Sequence, residues 1–391
     1  MNIEKLRAET TGCSTKIHFN NAGAALMPSS VVDSMKDYLD LEAKVGGYEA
    51  ADQEKAAIRN FYGVMAKWIN TDERNIAFTS SATNSFARAL SSIPFEKDDS
   101  ILIANEDYIS NQLAFLAMQK RFDLKIIRAR SSSKGGVDVG DMKLQMDKHH
   151  PRLVSLTHIP TNSGLVQPVE EIGKLCKERN ILYLVDACQS VGQWPVDVKK
   201  IQCDFLSATF RKFLRGPRGA GFLYVSDRVI NEKLDPLFID MRGATWTSAD
   251  QYTSRMDAQR FEDWEIPYAL LMGSRAAVDY ALKAGIDQIV KRNKILCDLL
   301  RNKLQSIGFE LLDQGETLSS IITTHIPGKD GTTIMHELRK KNINTSISYK
   351  DYAVIDFEKK GVDWALRISP HYYNTEEEIE IFMDVLTALK N

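Results

Sequence analysis

The stretch Asp204-Phe205-Leu206-Ser207-Ala208-Thr209-Phe210-Arg211-Lys212-Phe213-Leu214-Arg215-Gly216-Pro217-Arg218-Gly219-Ala220-Gly221-Phe222-Leu223-Tyr224-Val225 decides the fold. Its two apolar runs, 204–208 and 221–225, each read as a buried strand. Between them a lysine is flanked by cations and followed by a Gly-Pro turn. Neighbouring positive charge and partial burial lower a lysine pKa and free its amine for carbonyl chemistry. Lys212 is therefore the leading candidate for a Schiff-base residue.

Upstream, short apolar runs alternate with helix-like stretches from about residue 75. Asn75–Thr79, Ile101–Ala104, Leu124–Ile127, Leu153–Leu156 and Ile181–Val185 read as strands. Helical patterns fall around Phe86–Leu90, Leu113–Lys120 and Val169–Glu178. Continuous apolar strands bounded by helices imply a mostly parallel sheet covered on both faces, an α/β fold. Such sheets place ligands beyond the carboxyl ends of their strands.

After about residue 265 the pattern changes. Two long amphipathic helices, Ala269–Lys283 and Ile286–Ile307, lead into a smaller α+β segment. Its strands are Ser320–Thr324 and Ala365–Ser369, with helices at Thr333–Lys340 and Glu376–Leu389. This organisation predicts a large cofactor domain over 21–265 and a small C-terminal domain over 266–391, with residues 1–20 packing against the latter. At 391 residues the chain exceeds the usual size of one hydrophobic core.

The polar motifs lie at strand ends. Val185-Asp186-Ala187-Cys188-Gln189-Ser190 offers a carboxylate that can pair with a pyridinium nitrogen, which makes the ring an electron sink. Alone, Asp186 can also be read as a helix cap, the lesser of the two readings. Together with Lys212 it is the minimum equipment for holding pyridoxal phosphate (PLP). Gln189 can reach the phenolic oxygen of that cofactor. Thr79-Ser80-Ser81-Ala82-Thr83-Asn84-Ser85 opens a helix with small residues, as a phosphate site requires, although Ser/Thr-rich caps are common. Tyr108 can stack on a flat ring, or pack on its own helix. Thr161 and Asn162, in Thr157-His158-Ile159-Pro160-Thr161-Asn162, can contact the ring oxygen, and His158 reads as structural rather than as a base. Arg367, inside the apolar run Leu366–Ser369, needs an anionic partner, and its planar fork suits an α-carboxylate.

Together these segments resemble the class V, fold type I PLP enzymes: cysteine desulfurases, selenocysteine lyases and isopenicillin-N-epimerase-like proteins. The resemblance spans about Phe19 to Leu389. Asn20-Asn21-Ala22-Gly23, Gly46-Gly47-Tyr48-Glu49-Ala50, Phe261-Glu262-Asp263-Trp264-Glu265 and His371-Tyr372-Tyr373-Asn374-Thr375 look most like the epimerase and hercynylcysteine-sulfoxide-lyase branch. The resemblance implies that Lys212 carries the cofactor and removes the α-proton once an amino-acid substrate forms the external aldimine. It implies that Asp186 pairs with the ring nitrogen, Gln189 with the phenolic oxygen, and Ala82, Thr83, Thr209 and Arg211 with the phosphate. Tyr108 and Arg211 stand where desulfurases have histidines. Arg367 matches the arginine that takes the substrate carboxylate, with Asn21 as a second substrate-binding residue. The resemblance further implies a homodimer whose sites are completed by the partner subunit at the position of Glu265. That position is a threonine in desulfurases, and here it is expected to pair with Arg211 or Arg218.

Desulfurases carry a mobile sulfur-accepting cysteine before the carboxylate-binding arginine. Here that stretch, Asn344-Thr345-Ser346-Ile347-Ser348-Tyr349-Lys350-Asp351, has none. The expected reaction is thus β-elimination from an L-amino acid, of C–S or C–Se lyase type, without a persulfide. A transaminase or epimerase would share the same residues, and a non-catalytic PLP-fold binding protein is the alternative of a different class.

Charge and composition exclude other classes. Lys+Arg 50 against Asp+Glu 52 suggests neither nucleic acid nor an anionic membrane as partner. No apolar run approaches the ~20 residues of a membrane helix. The five scattered cysteines have no metal-binding spacing and fit a reducing compartment, so a cytoplasmic location is expected. No GxGxxG or GxxxxGK[ST] phosphate loop occurs.

Overall fold

The structure is a computed structural model describing residues 1–390. Seven strands build the central sheet: β1 (Ile76–Thr79), β2 (Ser100–Ile103), β3 (Lys125–Arg128), β4 (Leu153–Thr157), β5 (Leu182–Asp186), β6 (Phe205–Thr209) and β7 (Gly221–Val225). Their spatial order is β1-β7-β6-β5-β4-β2-β3. Only β7 runs against the rest, because the Lys212 segment returns the chain beside β6 without a crossover helix. The other neighbouring pairs are parallel.

Side-chain alternation divides the strands between two cores. Phe78, Leu102, Val154, Val185, Leu206 and Phe222 face one side, under the helices Lys55–Ile69, Val169–Glu178 and Tyr268–Ala284. Ala77, Ile101, Ile103, Leu184, Phe205 and Leu223 face the other, under Ala82–Ser92 and Ile109–Phe122. Burial on both faces is why these strands read as unbroken apolar runs. The edge strand β1 is closed by Glu262, whose carboxylate accepts the Phe78 N–H at 2.9 Å.

A hairpin follows, formed by β8 (Ala244–Ser248) and β9 (Gln251–Ser254). The later residues form a four-stranded antiparallel sheet of β10 (Glu310–Leu311), β11 (Ile322–His325), β12 (Ser346–Tyr349) and β13 (Trp364–Ile368), in the order β10-β11-β13-β12. Helices Ile286–Ser306, Gly331–Lys340 and Glu376–Lys390 cover it. Near the N-terminus, Ile17–His18 pairs with Ile343–Asn344, and Phe19 meets Phe382 edge-on at 5.5 Å.

Residues 29–69 form the helices Ser29–Val45, Gly47–Gln53 and Lys55–Ile69, a region with no assignment from sequence. Ser29–Val45 buries only Val31 and Tyr38, which leaves its helical period faint.

Candidate active site

The carboxyl ends of β1, β4, β5 and β6 converge on one cleft, and each delivers a polar group. β5 ends in Asp186, which is buried among apolar neighbours. Its Oδ1 accepts the Cys188 N–H at 2.9 Å, and its Oδ2 accepts Asn111 Nδ2 at 2.9 Å. Asn111 also donates to Asp107 (3.0 Å), which collects the Thr157 hydroxyl, the Tyr108 N–H and Gln112 Nε2. Burial pushes the Asp107 carboxyl up to about 6. Sequence reading missed this support for Asp186. Its trace was the i,i+4 pair Asp107/Asn111 opening a helix.

Lys212 is buried on the connection between β6 and β7, with Nζ 5.9 Å from the centroid of the Tyr108 ring. Burial lowers its pKa to about 8; Arg211 and Arg367 act in the same direction, while Cys188 and Asp186 oppose them. The turn is held tightly. Arg215, left-handed at φ +61°, donates its N–H to the Lys212 carbonyl at 2.9 Å. The Arg215 guanidinium is buried without a carboxylate. It donates to the Leu26 carbonyl (2.9 Å), the Tyr372 hydroxyl (2.9 Å) and Thr10 Oγ1 (2.5 Å). The rings of Tyr373, Tyr372 and Tyr280 surround it at 4.3, 5.2 and 5.4 Å. Arg211 points elsewhere and donates to the Gly23 carbonyl.

Ala82 and Thr83 open the helix Ala82–Ser92, capped by Ser81, whose Oγ accepts the Asn84 N–H at 3.1 Å. The first amides of a helix have no partner within it and suit an anion. Gly221 makes this cradle possible, since a Cβ there would lie 2.7 Å from Ala82 N. Thr209, at the end of β6, donates its hydroxyl to the Ala220 carbonyl at 3.3 Å.

Thr161 joins two groups that sequence reading treated separately. Its Oγ1 accepts Gln189 Nε2 at 2.8 Å and Arg367 Nη1 at 2.6 Å. Arg367 reaches Asn20 Oδ1 at 3.4 Å and meets no carboxylate. Burial, with Arg211 nearby, lowers its pKa to about 10. Gln189 keeps Oε1 buried without a partner.

Several residues stand differently from their expected places. Asn21 spends its amide on the His18 and Ser369 carbonyls and accepts the Tyr373 hydroxyl at 2.6 Å, so the asparagine beside Arg367 is Asn20. Asn162 donates to Asp356 at 2.6 Å rather than toward Lys212. His158 is buried and its pKa falls to about 4, which keeps the imidazole neutral. Glu265 is exposed and pairs with neither Arg211 nor Arg218 within the chain. Among the described residues no cluster suited to a metal ion occurs, and no helix is long and apolar enough to cross a membrane.

The family model for class V aminotransferases matches residues 17–382. The chain belongs to that family. This class V chain is 28% identical over 397 residues to a probable cysteine desulfurase of Methanothermobacter thermautotrophicus, covering 100% of this chain and 98% of that protein. It is 26% identical over 375 residues to a probable hercynylcysteine sulfoxide lyase of Mycobacterium tuberculosis, covering 95% and 90%. In fold, it superposes on the apo structure of a cysteine desulfurase from Thermococcus onnurineus NA1 with a TM-score of 0.92 and 24% identity, over 100% of this chain and 98% of the other.

Proposed function

We propose that this class V protein is a PLP-dependent lyase that eliminates a β-substituent from an L-amino acid without forming a protein persulfide. The residues fit the cofactor. Gln189 holds a buried, unpartnered oxygen, the amides at Ala82 and Thr83 form a cradle that a Cβ on Gly221 would fill, and Lys212 is a buried amine with a lowered pKa. When bound, the cofactor supplies an electron sink for the substrate α-carbon. Asp186, oriented by Asn111 and the Cys188 amide, would keep a proton on the ring nitrogen. Ala82, Thr83 and Thr209 would hold the phosphate, with Arg211 joining them on leaving the Gly23 carbonyl, and Tyr108 would stack on the ring. Arg367, with Thr161 and Asn20, binds the α-carboxylate. Lys212 takes the α-proton, because its amine is substantially neutral near pH 8.

The single observation that carries the lyase reading is the thiol inventory around Lys212. The stretch 344–352 contributes Tyr349 and Tyr352 but no cysteine. Cys188 is the nearby thiol, and burial beside Asp186 pushes its pKa up, so it is a poor sulfur acceptor. The name of the M. tuberculosis relative points to the same chemistry.

Exposed Phe238, Met241, Trp246 and Tyr252 on and near the β8–β9 hairpin form an apolar surface suited to a second copy of the chain, with exposed Glu265 at the partner's site. Five free cysteines fit a reducing, cytoplasmic setting.

The test is to supply holoenzyme with a panel of S-substituted L-cysteines and follow pyruvate, keto-acid and racemised products. Pyruvate formed without a keto-acid acceptor is the expected result. Turnover that depends on an acceptor, or racemisation alone, overturns the lyase assignment.

A further inference from the structure

Beside the lysine cleft lies a cavity of about 230 Å³, walled on one side by residues of the β2–Tyr108 loop and its helix, and on the other by 351–356. It begins one residue away from two groups already placed at the site. Tyr108, whose ring faces Lys212, sits between the lining residues Asp107 and Ile109. Thr161, which holds Arg367, precedes the lining residue Asn162.

The walls carry unspent hydrogen-bonding capacity. Glu106 is 5% exposed, its Oε1 accepts the Ser131 hydroxyl at 3.1 Å, and its Oε2 has no partner. Asn162 is 1% exposed and commits its amide nitrogen to Asp356, while its Oδ1 has no partner. A buried acceptor without a donor is unfavourable, and a ligand that donates to it would remove that cost. The sign of the charge is equally clear. Glu106, Asp107, Asp351 and Asp356 line the cavity against the single guanidinium of Arg128, whose Nη1 is likewise buried without a partner and can take an acceptor on the same ligand. Lys360 pairs with Asp356 at 2.8 Å, and Asp107 is occupied by Thr157, Asn111 and Gln112. Glu106 and Asp351 are left without a cation within salt-bridge distance, and of these two Glu106 is the buried one. The remaining wall, Ile109, Leu113 and Val354, is apolar and suits methylene groups.

We propose that this cavity is the subsite for the substrate side chain, and that it selects an amino acid whose side chain ends in a cationic, hydrogen-bond-donating group. Glu106 and the Asn162 carbonyl receive that group, and the apolar wall receives its stem. The inference rests on the amino-acid reading above and narrows it to a class of side chain.

The test uses the holoenzyme and the cofactor absorption as a binding signal, so it does not depend on turnover. The probes are S-(2-aminoethyl)-L-cysteine, its uncharged isostere S-propyl-L-cysteine, and S-carboxymethyl-L-cysteine. The aminoethyl compound should bind about tenfold more tightly than the propyl compound, and the carboxymethyl compound most weakly. Glu106→Gln should bring the aminoethyl-to-propyl ratio close to one. Leu113→Lys, at an exposed position on the rim, should lower the same ratio and serves if Glu106→Gln folds poorly. Equal affinities for all three compounds overturn the subsite. A cofactor spectrum that responds to none of them overturns the amino-acid reading itself, and the subsite with it.

Discussion

A Cβ placed on Gly192 would lie 2.3 Å from the carbonyl carbon of Phe213, so the loop that carries Asp186 rests directly on the turn that carries Lys212. Gly192 also has φ +97°, which L side chains rarely adopt. The loops of Asp186 and Lys212 are thereby held against each other by a close backbone contact. Gly192→Ala should cost ~2–4 kcal/mol in denaturant unfolding. It should also weaken cofactor uptake by the fraction that still folds. Wild-type stability together with wild-type uptake would mean that the contact is not a constraint.

Lys212 sets a pH dependence. Its neutral fraction grows tenfold per pH unit below about 8 and then saturates, whereas an ordinary lysine at 10.5 would keep gaining well beyond. Mixing apo-protein with pyridoxal phosphate should give a rate of absorbance gain that rises with pH and levels near 8. Lys212→Ala should abolish the yellow absorption, and retained absorption with turnover would remove Lys212 from its role.

Arg367 has no carboxylate partner and is half-buried, so a substrate anion is its natural counter-charge. Arg367→Lys keeps the charge and loses the fork. We expect KM for amino acids to rise by about 10–100-fold with a smaller effect on kcat, and no change in binding of amines that lack a carboxylate. A pure loss of kcat would contradict this.

Glu262 is fully buried and accepts from Tyr62 (2.8 Å), Phe78 N (2.9 Å) and Arg242 (3.1 Å). Burial raises its pKa, and Arg242 is the first of the effects that oppose this. Arg242→Met should destabilise the protein by ~3–5 kcal/mol at neutral pH, since it strands a buried charge. A carboxyl with a raised folded pKa penalises the fold at high pH, and the penalty fades as it takes up a proton. The deficit should therefore shrink as pH falls toward 5, read from urea midpoints. A deficit independent of pH would exclude this origin.

How much could be read in advance followed from where each residue's energy comes from. β5, β6 and β7 are buried on both faces, so their apolar runs stood out, as did Asp186 and Lys212 at their ends. The Asp107/Asn111 pair was visible but its purpose was not, because Asn111 does its work across 75 residues of chain, in a hydrogen bond to Asp186. Asn20 and Asn21 are adjacent and chemically identical. Only the backbone decides which one reaches Arg367 and which is consumed by Ser369 and Tyr373. Asn162 was misplaced for a similar reason, since Asp356, 194 residues away, claims its amide. Helix Ser29–Val45 escaped notice because it buries so little.

The Arg215 cage gives Lys212 an unusual foundation. Thr10 lies near one end of the chain and Tyr372 and Tyr373 near the other, and both clasp the residue whose N–H holds the Lys212 carbonyl. Segments far apart in the chain thus meet beneath Lys212, so a substitution at Thr10 or Tyr372 that frees Arg215 should be felt at the Lys212 turn.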